Sequence, residues 1–317
     1  MTTYAGLDKL VRELQETRFK EFEQRVLRGK ALAERDAKLQ DGREKRRRDF
    51  MTAIGTDPKK LDAATEQETR AQEAELSILL DEFRPKLAGR RSMGAAVAKD
   101  AAIRSEVLAE SGQLVLPVFA SSIFTADKSA FADVGGLEWI NGAINSGWVF
   151  PDDPSKIRIK DTRHYPNALC WDNRQDPPPE FAAHFTFVPA TTATYEMTAV
   201  LAFHGFYILR SDDSWWNCRA ASVNLKIEMN VHQYSDSGWH ETTLINIEKQ
   251  NADEITSYDR TQFFDYTTGL RAGDPVVVTV KGIVKASAHG GGAYAELNFA
   301  DGTANYIQPL FVSVQQV

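Results

Sequence analysis

Cysteine is scarce in this chain. Cys170 and Cys218 are the only two, and they stand in no metal-ligand spacing, which excludes a zinc-stapled or disulfide-dense scaffold. Each lies beside a tryptophan or one residue removed from it. They read as small buried apolar groups, with a disulfide between them as the alternative. Long apolar runs are missing too: nothing approaches the roughly 20 uninterrupted apolar residues that a membrane-spanning helix needs. The first eight residues, Met1 to Asp8, lack a basic region followed by an apolar stretch, so no signal peptide is expected. Cytoplasmic residence is the default expectation, and release or non-classical export would leave no such mark.

Several catalytic signatures are absent as well. No nucleophile elbow, phosphate-cradling loop or zinc helix occurs. Gly290 to Gly292 lies between two strand-like runs, so it reads as a hairpin turn and not as a phosphate site. Nothing in these patterns calls for a cofactor or a metal.

An apolar fraction of 43% and a mean hydropathy of -0.37 describe an ordinary globular chain. The net charge of -7 is unevenly spread. Residues 1–112 hold 23 Lys+Arg against 21 Asp+Glu, whereas residues 113–317 hold 14 against 23. An acidic second part argues against a nucleic-acid surface, which needs a positive field.

Between Tyr4 and Asp49 there is no proline, and Leu, Glu, Lys, Arg, Gln and Ala dominate, which favours helix. Leu7, Leu10, Val11, Leu14, Phe22, Val26, Leu27, Leu32 and Ala33 form a stripe at three- and four-residue steps, interrupted near Arg18 and Gly29. The stripe thins after Leu39, and Arg43, Lys45, Arg46, Arg47 and Arg48 should stand in solvent or meet an acidic partner, such as the second part of a neighbouring copy. Thr56-Asp57-Pro58 marks a break and a new start. A second helix is predicted from about Lys59 to Phe83, stopped or kinked by Pro85, and pairing antiparallel with the first. Ala95 to Leu108 suggests a third, rich in small residues. These stripes are thin for their length, which points to helices that meet copies of themselves.

The texture changes at Gln113. Residues 120–180 are the least periodic and read as ordered loops, with a short helix around 136–145. Strand signals then accumulate. Tyr195, Met197, Ala199, Leu201, Phe203, Tyr207 and Leu209 keep one parity, and Val223, Leu225, Ile227, Met229 and Val231 oppose Asn224, Lys226, Glu228, Asn230 and His232. Val276, Val278, Val280, Val284 and Ala286 form a further strand, followed by Ala293 to Phe299 and a last strand through Val312 and Val314. Eight to ten strands joined by turns predict an antiparallel β-sandwich, jelly-roll-like, at 113–317. The expected architecture is therefore α+β and multidomain: a helical hairpin or coiled-coil bundle at 1–112 for oligomerisation, then the sandwich head.

Candidate chemistry is sparse. His164, Cys170, Asp172 and Asp176 share one segment but have no orienting partner. His232 and His240 should share the polar face of a hairpin through Ser235 to Gly238, two ligands where a metal wants at least three. His204 shares its parity with Glu196, Thr198 and Arg210, and reads as a surface or inter-sheet histidine. Asp212, Asp213, Trp215 and Trp216 are the one place where acids and tryptophans meet in a turn, a surface suited to a sugar ring. Both indoles packed into the core is the plainer alternative.

The expected function is non-enzymatic. The helices, residues 4–108, gather copies into a homo-oligomer or filament, and the sandwich is the binding or packing head, with a glycan or a protein as its partner. A lectin-like carbohydrate-binding module or adhesin is the alternative, with Asp212, Asp213, Trp215 and Trp216 as its ligand-binding residues. A pore-forming protein and a jelly-roll glycoside hydrolase rank below it.

Overall fold

The computed structural model describes residues 5–89, 113–115, 122–124, 156–165, 177–211, 220–233, 238–290 and 292–317. Two helices come first, α1 (Ala5–Ala53) and α2 (Pro58–Gly89). The turn between them is built as the residues predict. Gly55, at φ +83°, takes the left-handed position that ends α1, and the amides of Gly55 and Thr56 reach back to Thr52 and Met51 at 3.1 and 2.9 Å. Asp57 then caps α2, accepting from the Lys59 amide at 3.0 Å, with Pro58 in the first helical position. Pro85 lies inside α2 and does not stop it. Among the described residues no helix is long and apolar enough to cross a membrane.

Eleven strands follow among the described residues: β1 (Gln113–Val115), β2 (Ser122–Phe124), β3 (Ile159–Tyr165), β4 (Glu180–Phe187), β5 (Ala193–Ser211), β6 (Ala220–His232), β7 (His240–Lys249), β8 (Ala252–Leu270), β9 (Val276–His289), β10 (Ala293–Phe299) and β11 (Tyr306–Gln316). All pair antiparallel in two sheets. One, here the β9 sheet, runs β2-β4-β9-β6-β7. The other, the β5 sheet, is organised on the 19-residue β5. One edge of β5 pairs with β8 along its whole length; the other pairs with β11 up to His204 and with β10 from Phe206. Strands β1 and β3 lie outside β11 and β10.

Side-chain alternation then decides what is shared. The inward parities of β4, β5, β6, β9, β10 and β11 merge into one apolar core that takes residues from both sheets, among them Phe181, Phe185, Leu201, Phe203, Ile227 and Val280. The predicted parities of β5, β6 and β9 are the ones that point into it.

Two departures from the sequence reading are instructive. First, β3 lies in the stretch expected to be loop. Both its parities carry charge: Lys160, Asp161 and Arg163 are buried, Lys160 pairing with Asp301 at 2.9 Å and Arg163 with Asp161 at 3.2 Å. A strand whose core-facing positions include ions shows no apolar period. Second, the outward parity of β5 is also buried, at Val200, Ala202, Phe206 and Ile208. The predicted third helix at 95–108 and short helix at 136–145 lie outside the described residues.

Close approach of rings to backbone holds both sheets together. Phe181 sits directly across from Gly282, and a methyl added there would stand 2.0 Å from its Cε1 and 2.3 Å from its Cζ. Gly205, where β11 gives way to β10, receives Phe299 in the same way, 2.4 Å from where a Cβ would be. Gly282→Ala should therefore lower the unfolding free energy by about 1–3 kcal/mol, the usual cost of overpacking. Gly269→Ala, whose added methyl meets nothing within 4 Å, should stay within about 0.5 kcal/mol of the parent. Urea midpoints of the two variants decide the matter, and equal shifts would count against this account of the core.

Candidate interaction surface

The outer face of each sheet carries a helix. On the β9 sheet that face is built in rows by strand register: Glu180, Ile283 and Lys226; Ala182, Lys281 and Glu228; His184, Thr279 and Asn230. Lys281 meets Glu228 at 2.7 Å, and Lys226 joins Glu228 at 3.1 Å and also pairs with Glu241. Burial alone would raise the Glu228 pKa, but its bonds to these two lysines outweigh that and hold it below the usual carboxylate range.

Helix α1 crosses this charged face. Phe22, 2% exposed, packs on Ala182 with Phe19 and Val26 alongside. Arg25 grips Glu180 with both arms of its guanidinium, Nη1 to Oε1 at 2.5 Å and Nη2 to Oε2 at 3.0 Å. Burial would lower the Arg25 pKa, and the Glu180 pairing overrides it and raises it. Glu180 is 3% exposed while Arg25 is 41% exposed, so loss of Arg25 would strand a buried anion. The Arg18 guanidinium lies 4.5 Å from the centre of the Trp239 ring, and Lys281 is 4.9 Å from it, so two cations attend one indole. Beneath lies His184, fully buried, with Nδ1 3.1 Å from Thr279 Oγ1. Burial, helped by the nearby charge of Arg18, pushes its pKa down to about 3.

Helix α2 meets the β5 sheet by different means. Leu76 packs against Phe206, Ile208 and Tyr294, with Leu80 and Ile255 at the margin. Glu75 accepts from Arg210 at 2.9 Å. His164, on β3, lies 6.3 Å from the Tyr294 ring; burial lowers its pKa against the opposing charge of Glu73 on α2. Next to Tyr294 runs a closed polar chain. Tyr294 donates to Glu296 Oε2, Asn298 donates to Glu296 Oε1 at 2.6 Å and to Asp301 at 2.8 Å, and Lys160 donates to Asp301. Both oxygens of Glu296 are engaged and the group is fully buried, so this arrangement suits holding strands together and not proton transfer.

The sequence-predicted residues fare unevenly. Asp212, Asp213, Trp215 and Trp216 lie outside the described residues, as do Cys170, Cys218, Asp172 and Asp176. His232 and His240 do not share a face, contrary to expectation. His240 pairs with Met229 and stands edge-on to Tyr266 at 6.4 Å, while His232 follows the parity of Glu228 and Asn230 on the other side of the sheet. A register shift between Leu225 and Lys226 separates the local pattern from a simple hairpin count. His204 points out from the β5 sheet, Nδ1 3.2 Å from Asp259. Among the described residues no three His, Cys, Asp or Glu gather as a metal site. The basic run is exposed at Arg43, Lys45, Arg46, Arg47 and Arg48, with Arg48 pairing Asp62 of α2 at 3.1 Å. Sequence reasoning missed Arg18, Arg25 and Trp239 as contacts. The one signal was that Arg18 and Gly29 interrupt the apolar stripe at its own spacing, and both lie on the sheet-facing side, Gly29 buried and Arg18 over Trp239.

No family model matches the chain, and no curated protein matches it. Among solved structures, the enzymatically active domain of tailspike protein 4 of bacteriophage CBA120 is 7% identical over 51% of this chain and 18% of its own, at a TM-score of 0.18. Eiger TNF from S. frugiperda is 12% identical over 59% of this chain and 96% of its own, at 0.18. A CBM4 structure is 11% identical over 60% and 86%, at 0.17. At such TM-scores these likenesses bear on neither fold nor function.

Buried His184 makes folding stability pH-dependent. Its folded pKa of about 3 lies below the ordinary 6.5, so between those values the unfolded chain binds a proton that the folded chain refuses. Its contribution is whole above about pH 6.5 and is lost as pH falls toward 3, at up to about 1.4 kcal/mol per pH unit. Glu228 acts in the same direction, so the comparison is with His184→Gln. Denaturant unfolding from pH 7 to 4 should show the parent losing stability more steeply than that variant; parallel curves would refute the buried neutral imidazole.

Proposed function

We propose that this chain is a non-enzymatic assembly protein. Its helices gather copies of the chain, and its two sheets form a jelly-roll β-sandwich, the head that each copy contributes to a homo-oligomeric or filamentous array. The observation that carries this reading is where the apolar surface lies. Of eight large apolar side chains exposed among the described residues, six fall between residues 27 and 78: Leu27, Leu32, Leu39, Phe50, Ile54 and Ile78. Scattered exposed leucines are ordinary, but five of these six fall within residues 27–54, on α1 and the turn that follows it, which concentrates the uncovered apolar surface along one long helix. Fully burying one such side chain stabilises by about 1.5–3 kcal/mol. Association costs on the order of 4–15 kcal/mol, so one leucine is not enough and several are.

The jelly-roll assignment draws on strand order. The chain visits the β9 sheet with β4, the β5 sheet with β5, returns with β6 and β7, crosses with β8, returns with β9 and finishes across with β10 and β11. Such repeated crossing between two sheets around one core is the jelly-roll pattern.

Mass photometry and light scattering of the full chain should give multiples of 35.4 kDa. Replacing Leu27, Leu32, Leu39 and Ile78 together with glutamine should return it to single copies while leaving the far-ultraviolet circular dichroism unchanged. A parent chain that runs as a single copy at tens of micromolar overturns the proposal.

A further inference from the structure

The contact side of α1 follows one line along the helix. Arg18, Phe22, Arg25 and Gly29 lie on alternate steps of four and three residues, the spacing of a coiled-coil seam, with Val11 one heptad before Arg18; Val11, Phe22 and Gly29 are buried, Arg18 lies over Trp239 and Arg25 grips Glu180. The same steps, continued without a break, give Leu32, Asp36, Leu39, Arg43, Arg46 and Phe50. Here the helix has no sheet under it. Leu32, Leu39 and Phe50 are 48%, 49% and 63% exposed, so the seam that is covered in its first half is bare in its second. Helix α2 does not supply the cover: Arg48, which meets Asp62, stands about 140° round the helix from Arg43 at 3.6 residues per turn.

We infer that the second half of the seam is covered by the same half of a second copy, packed antiparallel about a two-fold axis near residue 41. This rests on the proposal that the helices gather copies, and it adds the partner segment and its register. The segment is complementary to itself in that direction. Leu32 comes opposite Phe50 of the second copy, Asp36 opposite Arg46, and Leu39 beside Arg43, whose aliphatic stem lies along the leucine. Each pairing occurs twice, as a two-fold axis requires. A parallel arrangement would set Arg43 against Arg43 and Arg46 against Arg46, like charges along the same line. The antiparallel one also leaves room for the heads. Phe22, where α1 sits on its own sheet, is 19 residues from the axis, so the two sheet contacts stand about 57 Å apart at 1.5 Å per residue.

Charge exchange in the full chain tests the register. Asp36→Arg and Arg46→Asp, each alone, place like charges opposite one another and should each weaken self-association at least tenfold at low salt, although they change net charge in opposite directions. Carrying both changes in one chain restores opposite charges at both pairings, and association should return to the parent level. Parent-strength association by either single variant, or a double variant that stays apart, overturns the inference. If a single variant loses helix content by circular dichroism, the double variant still decides it. A parent chain that assembles but is indifferent to all three changes leaves the assembly proposal standing and removes this register; a parent chain that never assembles removes both.

Discussion

One register fixes the helical arm to the sheets. With Phe22 over Ala182, the fork of Arg25 matches both oxygens of a carboxylate that is 3% exposed. Rotating α1 by a single residue, about 100°, carries the guanidinium away and leaves a buried anion alone. Sliding it by one turn brings Glu21 to Glu180 in one direction and Gly29 in the other. Neither alternative is tolerable, so charge sets the register while the small apolar contact of Phe22 supplies part of the adhesion. The line of contacts that follows along α1, and where it runs off the sheet, are consequences of that placement.

Each helix combines an apolar contact with an ion pair, Phe22 with Arg25 on α1 and Leu76 with Glu75 on α2, but the balance differs because the two outer faces differ. The β9 sheet presents rows of lysine and glutamate, and α1 answers with arginines. The β5 sheet presents Phe206 and Ile208, and α2 answers with Leu76. Ionic docking is directional but adds little adhesion where its groups reach solvent, as Arg25 partly does. Apolar docking adheres without specifying direction. Together they divide the work: one helix is positioned and the other is stuck down, and the turn at Gly55 between them must span the difference.

Much of the fold was legible in the residues. The parities of β5, β6 and β9 and the break at Thr56 to Pro58 follow from periods that the backbone imposes, and the structure shows two antiparallel sheets behind two helices; the hairpin expected around Gly290 to Gly292 is instead a crossing between sheets, since β9 pairs with β4 and β6 whereas β10 pairs with β3 and β5. What could not be read was every contact made by a residue type that also belongs on a solvated face. Arg18 over Trp239, Arg25 on Glu180 and the ions of β3 use the same letters as an exposed helix or a loop, so hydrophobic pattern assigns them to water. His232 and His240 failed differently: alternation was counted correctly along each strand, but the irregularity at Leu225 and Lys226 changes how the strands are matched, and a one-residue offset moves a side chain to the other face. The site nominated at residues 212–216 lies outside the described residues, and the surface that emerged instead is on the helices.

A two-fold contact closes on itself at two copies, so a filament needs a second, independent surface. The strand edges are where such a surface would be sought: β1, β2, β3, β7 and β8 each pair with one neighbour among the described strands, and β7 and β8 are the longest of them. Strands β7 and β8 carry residues that discourage edge pairing. Asp253, Asp259 and Asp265 recur along the outward parity of β8, and β7 bears Glu241, Glu248 and Lys249. Two β8 strands brought edge to edge would set these aspartates near one another with few cations between them. The apolar surface, by contrast, is concentrated on the helices, where a two-fold pairing can use it. Within the proposed assembly, then, the helices are the surface suited to a second copy, and the acidic edges of β7 and β8 are poorly suited to extending it.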